Sequence, residues 1–367
     1  DAEVKAGVPR RAHYRRWVDA NRIELRGLFE GTVPVTPDVD SMFMRQLAYG
    51  YTREEIEEIL RPMARDGREP IGSMGDDAVL AVLSDRPQLL FNYFKQLFAQ
   101  VTNPAIDPLR EELVMSLTTY LGAHRNLLEE TPEHARMLKL RTPIMSNEDI
   151  KRIRSLGRSE FGTVTIDMLF HAEEGYQGLA DAVKRICERA EQEVKNGNSV
   201  LILSDRNLTP SLAPVPSLLA ASAVNQHLTE RGIRTQANIV IESGEPREVE
   251  HFALLLGYGA SAVNPYLAME IVSDMSDHGL LGEDVVKEEA VEHYIKAVEK
   301  GLLKILSKMG ISTLRSYRGA RIFEAVGLAE NFVKKYFTFT ATRINGIGLE
   351  KIAADTLARH KYAFREK

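Results

Sequence analysis

The sequence holds 367 residues, 44% hydrophobic and 27% charged, with a formal net charge of −5. That is ordinary globular composition, long enough for two domains or for one α/β barrel with an added lobe. Its acidic balance gives no electrostatic case for nucleic acid or an anionic membrane surface. Cys187 is the single cysteine, which excludes an intramolecular disulfide framework and an all-cysteine metal or iron–sulfur site within the chain.

No apolar run approaches the roughly 20 residues of a membrane span. The first residue is Asp1 rather than Met, which fits a processed or excised piece of a longer protein. A reducing compartment is the expectation.

Residues 1–40 read as an arm and linker. The one tryptophan, Trp17, lies among Val18, Ile23, Leu25 and Leu28, and GTVPVTPDV (31–39) is a proline-containing connector. Thr52 and Glu55 have the spacing of a capping box ahead of the apolar face Ile56, Ile59 and Leu60, with Pro62 and Gly67 ending that helix. LLFNYFKQLFAQVT (89–102) has the spacing of a buried helix, stopped by Thr102-Asn103-Pro104. Another helical stretch runs from Pro108 through Met115 and Tyr120, and an irregular bridge follows Gly122. Ser146 caps NEDIKRIRSLG, with Gly157 just past its end.

From Gly162 the pattern changes to alternating strands and helices. The strands are 163–170, 199–204, 235–243 and 261–268, separated by helices over 178–197, 214–231 and 246–256. Strands that are continuously apolar and alternate with helices imply a parallel sheet covered on both faces. A long helix over 285–308, a short strand over 310–313, a helix over 319–326 and a strand or extended segment over 336–344 complete the pattern. The fold class is α/β: a TIM-barrel-like parallel βα domain, complete or incomplete, with an N-terminal mostly helical region. A doubly wound open sheet is the alternative. The divisions fall at 1–40 (arm and linker), 41–157 (helical part), 158–335 (barrel-like part) and 336–367.

Ligands in such folds sit at the C-terminal ends of the strands. There the sequence places Asp167 and His171, Asp205 and Arg206, Glu242 and Ser243, and Asn264. They can hold a polar ligand, or they can cap helices and pair with one another, with Ser243 as a cap ahead of Pro246 and Asp205–Arg206 as a loop ion pair. His171, Glu173 and Glu174 form a metal half-site with no second histidine at ligand spacing, so a surface loop is the plainer reading. Cys187 falls on the apolar face of its helix and lacks an activating base. His124 and His134 fall in the bridge and read as satisfied buried or interface histidines rather than general bases. Gly346 and Gly348 suggest a phosphate-binding turn without the full dinucleotide spacing; a tight turn opening the helix serves equally. Lys304 and Lys308 share a helix face and could approach a flavin, though such a face is ordinarily solvated.

Several long blocks resemble one family. They are Pro70–Arg110, Glu111–Arg154, VLILSDR (200–206), PVPSLLAASAVNQHL (214–228), ESGEPREVEHFALLLGYGASAVNPYLA (242–268) and residues 294–328. All are similar to the central domain of the glutamate synthase large subunit, between its glutamine amidotransferase and FMN domains; YFTFTATRINGIGLEKIA (336–353) resembles the start of the FMN domain. The resemblance implies a non-catalytic central domain of an oxidoreductase of glutamate biosynthesis and nitrogen metabolism. Such a domain links the glutaminase and FMN sites and lines the tunnel that carries ammonia to 2-oxoglutarate.

It implies no cofactor in this portion, FMN and an iron–sulfur cluster in the full-length enzyme, and the amidotransferase and FMN domains of the same polypeptide as partners. No catalytic, cofactor-binding or metal residue is expected here. Met74 in IGSMGDD and Thr102-Asn103 in VTNPAID resemble family positions lining the tunnel. The location implied is cytoplasmic, or the plastid stroma for a plant source. A stand-alone flavin- or phosphate-binding TIM-barrel enzyme is the alternative. Asp205–Pro214 departs from the family pattern.

Overall fold

A computed structural model describes residues 2–7, 10–25, 39–71, 80–97, 106–107, 110–126, 128–155, 161–282 and 284–365. At its centre lie four parallel strands, β1 (Thr163–Asp167), β2 (Val200–Ser204), β3 (Asn238–Glu242) and β4 (Ala260–Asn264), paired in the order β4-β3-β2-β1. Helices α1 (Gly175–Lys195), α2 (Ser217–Glu230) and α3 (Val249–Gly257) connect them, and α4 (Tyr266–Asp277) and α5 (Lys287–Met309) follow. β2, β3 and β4 are buried along their whole length, as parallel strands covered on both faces must be. The chain is thus an α/β protein with a parallel sheet built from consecutive βα units. Among the described residues the sheet does not close into a barrel.

The two faces of the sheet are covered differently. Leu201, Leu203, Ile239 and Ile241 pack with the helices in the main core. The alternate residues Val200, Ile202, Val240 and Ala262 pack with Leu121, Leu138, Leu140, Met145, Ile150 and Ile153. That second cover is a three-stranded sheet (Ile23–Glu24, Leu138–Leu140, Thr119–Leu121) and the helix Asn147–Ser155. In a closed barrel this inner face would meet other strands; here chain from the N-terminal side fills it. Ile144 extends the sheet by a parallel bridge to Val263 at the β4 edge.

The Thr52–Glu55 capping box forms: Glu55 N donates to Thr52 Oγ1 at 3.1 Å and Thr52 N to Glu55 Oε2 at 2.7 Å. The helix continues through Pro62, after a π-helical stretch Glu55–Leu60, and stops at Gly67, whose φ of 60° suits the left-handed cap. Ser146 and Asp149 form a second reciprocal cap.

Several short elements differ from expectation. The buried helix expected from Leu89 is a 3₁₀ turn, Leu90–Tyr93, followed by a strand, Phe94–Gln96. That strand pairs antiparallel with β5 (Phe323–Leu328), which lies where a helix was expected over 319–326. Burial alternates over Phe323–Val326, a strand period hidden by the small residues and glycines around it. The helix expected through Tyr120 spans only Glu111–Val114, because Thr119–Leu121 pairs with Leu138–Leu140. Residues 310–313 contribute one bridge, Ser116 to Thr313, rather than a strand.

After β5 come α6 (Glu330–Tyr336), β6 (Ala341–Ile347) and α7 (Leu349–Ala363), with β6 parallel to β5. Gly346 belongs to this pairing: a Cβ there would meet the Gly327 carbonyl oxygen at 2.1 Å. It serves close strand approach, and Gly348 opens α7. Since the clash is with backbone, Gly346→Ala should destabilise the protein by about 3 kcal/mol, the upper end of overpacking costs. Urea unfolding measures this; a loss under about 1 kcal/mol would remove the close-approach role.

Candidate functional site

Side-chain alternation sends Asp167, Ser204, Glu242 and Asn264 to the inner face at the C-terminal ends of the four central strands. Helix Asn147–Ser155 lies across this row. Its Arg154 grips both carboxylate oxygens of Glu242, with Nη1 3.1 Å from Oε1 and Nη2 on Oε2. Ser204 Oγ donates to Glu242 Oε2 at 2.5 Å, and Arg206 Nε donates to Oε1 at 3.1 Å. Arg206 then reaches Glu270 of α4 at 3.1 Å, and Glu270 also accepts from Arg45 Nη1 at 2.6 Å. Asn264 Nδ2 donates to the Met145 carbonyl at 2.8 Å and to Asn147 Oδ1 at 2.9 Å.

The result is a continuous chain, Arg154–Glu242–Arg206–Glu270–Arg45, that ties the strand ends to three helices: Asn147–Ser155, α4 and Val39–Ala48. Glu242 is fully buried. Burial alone would raise its carboxyl, but Arg154, Ser204 and Arg206 outweigh burial and hold it below the usual range.

A second layer closes the loop after β2. Asp205 is fully buried and accepts from Ser243 Oγ at 2.5 Å and Gly244 N at 3.1 Å. Tyr49 stands over it, its hydroxyl on the Asp205 carbonyl at 3.1 Å and within 3.0 Å of Tyr266 Oη. Only glycine at 244 allows this approach, since a Cβ would meet the Tyr49 ring at 2.4 Å. Arg247, also buried, clamps the same segment from the other side through Glu55 at 2.8 Å and the carbonyls of Tyr49 and Gly50.

The strand-end residues therefore divide. Asp205, Arg206, Glu242, Ser243 and Asn264 come together, but they are engaged by protein. Asp205 and Arg206 do not form the expected loop ion pair, because each has a better partner on another element. Ser243 does not cap α3; Glu248 does, in a capping box with His251. Asp167 and His171 are exposed at the rim, with Asp167 near Asn207 Nδ2 at 3.4 Å.

Beside Glu270 a cavity of about 550 Å³ opens between residues 139–152 and helices α4 and α5, lined by Met145, Asn147, Arg152, Met269, Val291 and Ile295 among others. None of the strand-end residues named from the sequence lines it.

The remaining candidates separate. Glu173 and Glu174 are exposed, and among the described residues no three His, Cys, Asp or Glu side chains converge as metal ligands. Cys187 is buried, its thiol pushed up to about 12 by burial. His134 bonds Thr131 and the Asn126 carbonyl, and His124 is exposed. Lys304 and Lys308 are exposed on α5. Met74, Thr102 and Asn103 lie outside the described residues. No described helix is long and apolar enough to cross a membrane.

Sequence reasoning missed Arg154, Arg45, Glu270, Tyr49 and Arg247. The available signal was a charged residue inside an apolar helix, as Glu270 is within LAMEIV, or an arginine between buried segments.

An α/β protein whose strand ends are closed by its own side chains is the class that this geometry defines. The family model for the glutamate synthase central domain matches residues 44–329, and the chain belongs to that family. It is 45% identical to the glutamate synthase [NADPH] large chain of Bacillus subtilis over 100% of this chain and 24% of that protein. It is 42% identical to glutamate synthase [NADH] of Schizosaccharomyces pombe over 99% and 18%. With the chloroplastic ferredoxin-dependent glutamate synthase of Oryza sativa it shares 40% over 100% and 23%. The chain thus spans about a fifth to a quarter of these relatives' length. Among solved structures, the flavin-binding domain of baker's yeast flavocytochrome b2 matches 52% of this chain and 42% of its own at 14% identity and a TM-score of 0.33, too remote to support a conclusion.

Burial pushes the Asp205 carboxyl up to about 7 against its hydrogen bonds. Since the unfolded chain releases this proton near 4, the folded state holds it over a higher range. Its contribution to stability is greatest below about pH 4 and declines as pH rises toward 7. Asp205→Asn should flatten the fall in urea midpoint between pH 5 and 7.5. An unchanged slope would mean that Asp205 is already ionised across that range.

Proposed function

We propose that this chain is a non-catalytic central domain of a glutamate synthase, one that holds a glutaminase centre and an FMN centre in fixed relation and forms part of the ammonia path between them. The observation that carries the reading is the filled row of strand ends. A barrel enzyme needs Glu242, Arg206 and Asn264 free to engage a ligand, whereas here Arg154, Glu270 and Asn147 already engage them. Opening that row would strand a buried charge, which costs about 3–5 kcal/mol when one partner is lost. Such a network makes the domain a rigid spacer.

In this reading FMN and the iron–sulfur cluster belong to other parts of the full-length enzyme, as do the groups that act on glutamine and 2-oxoglutarate. The amidotransferase and FMN domains are the partners, joined to this one near residue 40 and near residue 335, with a further division near residue 157. The enzyme works in the cytoplasm, or in the plastid stroma of a plant.

Met74, Thr102 and Asn103 line the ammonia path. A thioether is a flexible apolar plug, and a hydroxyl and an amide can hydrogen-bond neutral ammonia without fixing it as ammonium. Neutral lining suits the cargo, because a carboxylate there would draw a proton onto it.

Met74→Trp in the intact enzyme should uncouple the two half-reactions. Glutamine hydrolysis should continue while glutamate made per glutamine consumed falls at least severalfold, with free ammonia appearing in solution. Paired assays of the two products provide the test. Unchanged stoichiometry would dismiss Met74 from the path.

A further inference from the structure

At the opposite end of the sheet, where the strands begin, three arginines and a histidine gather. Arg234 anchors one corner: its guanidinium donates to Asn225 Oδ1 at 2.6 Å, the Ala237 carbonyl at 2.6 Å and the Gly259 carbonyl at 2.7 Å, at the starts of β3 and β4. Arg318 lies beside it, with Nη2 on Thr119 Oγ1 at 2.6 Å and near the Ser261 carbonyl at 3.4 Å. His124 is brought in by its backbone N–H, which donates to the carbonyl of Thr235, the residue after Arg234. Arg315 stands one helical turn before Arg318, on the short helix Leu314–Tyr317. Asn238 Nδ2 holds the Gly122 carbonyl at 2.8 Å and fixes the His124 loop over the strand starts.

The acceptors around these groups are carbonyls, an amide and a hydroxyl, all neutral. Among the described residues no carboxylate forms an ion pair with His124, Arg234, Arg315 or Arg318. The charges act on one another instead. Burial and Arg318 bring Arg234 down to about 10, burial and Arg315 bring Arg318 down to about 10, and burial with the three arginines lowers His124. Arg318 Nε is buried without a hydrogen-bond partner. This differs from the strand C-termini, where each arginine meets a glutamate. Cations gathered without counter-charge are unfavourable to the free protein and favourable to a bound anion.

We infer that His124, Arg315 and Arg318, braced by Arg234, form a binding site for an oxyanion at the N-terminal end of the sheet. His124 and Arg315 are exposed, so they supply the accessible donors, while Arg318 supplies a fixed charge behind them. Two sources share this chemistry, a free phosphate-type ion and a carboxylate, and the test separates them.

The experiment titrates inorganic phosphate, sulfate and acetate into the purified chain at constant ionic strength, made up with chloride. It follows the His124 ring protons by NMR and the melting temperature. Saturable movement of the His124 resonance with phosphate and sulfate identifies a tetrahedral oxyanion, and preference for acetate identifies a carboxylate. Either supports the site, provided that Arg315→Gln weakens the apparent affinity about tenfold, the loss expected for one charge-assisted contact. Arg315 is exposed, so folding should survive; His124→Gln serves as the second variant, read by melting temperature. Responses that chloride reproduces, or that both variants leave unchanged, would overturn the inference and mark the cluster as structural.

Discussion

A carboxylate with no exposed surface, Glu242 at the end of the third central strand, sets the terms for the architecture around it. In a low-dielectric interior an unpaired carboxylate either takes up a proton or forces the structure to supply cations. This chain supplies two, from different elements. Arg154 comes from the helix on the inner face of the sheet, and Arg206 comes from the loop after the second strand. Arg206 in turn requires Glu270, and Glu270 requires Arg45. Satisfying one carboxylate therefore links the sheet, the inner helix, helix α4 and the helix Val39–Ala48 into one electrostatic unit.

That linkage explains why βα units can be used here without a barrel closing among the described residues. A closed barrel protects its interior with further strands. Here the inner face is protected by a small sheet and the helix Asn147–Ser155, whose Ile150 and Ile153 meet Val200, Ile202, Val240 and Ala262. The same helix that covers the apolar half of the face delivers Arg154 to its polar end. Packing and charge pairing thus fix its position together, and the strand ends become a joint rather than an open site. The two ends of the sheet contrast: at one, arginines and glutamates alternate; at the other, arginines gather over neutral acceptors.

The sequence made the central strands and their helices legible because burial on both faces leaves long apolar runs. The caps at Thr52 and Ser146 were legible because a hydroxyl three residues before a carboxylate has a local mechanism. The errors share one cause, which is that tertiary pairing decided what local pattern could not. Phe94–Gln96 forms a strand because β5 lies beside it, and Thr119–Leu121 because Leu138–Leu140 does; these partners are well over two hundred residues away in one case and about twenty in the other. At the strand ends the chemical residues were visible in Asp205, Arg206, Glu242 and Asn264. Their partners were not, since nothing local in Arg154 or Arg45 reports a carboxylate across the sheet. Without those partners, a filled joint and an open binding site look alike.

The measurement that bears most directly on this account is the visible absorption spectrum of the purified chain after incubation with FMN and desalting. A colourless protein is the outcome expected if the strand ends are occupied by their own ion pairs. A flavin band that survives desalting, and that disappears when Glu242 or Arg206 is substituted, would contradict the account and turn the joint back into a cofactor site.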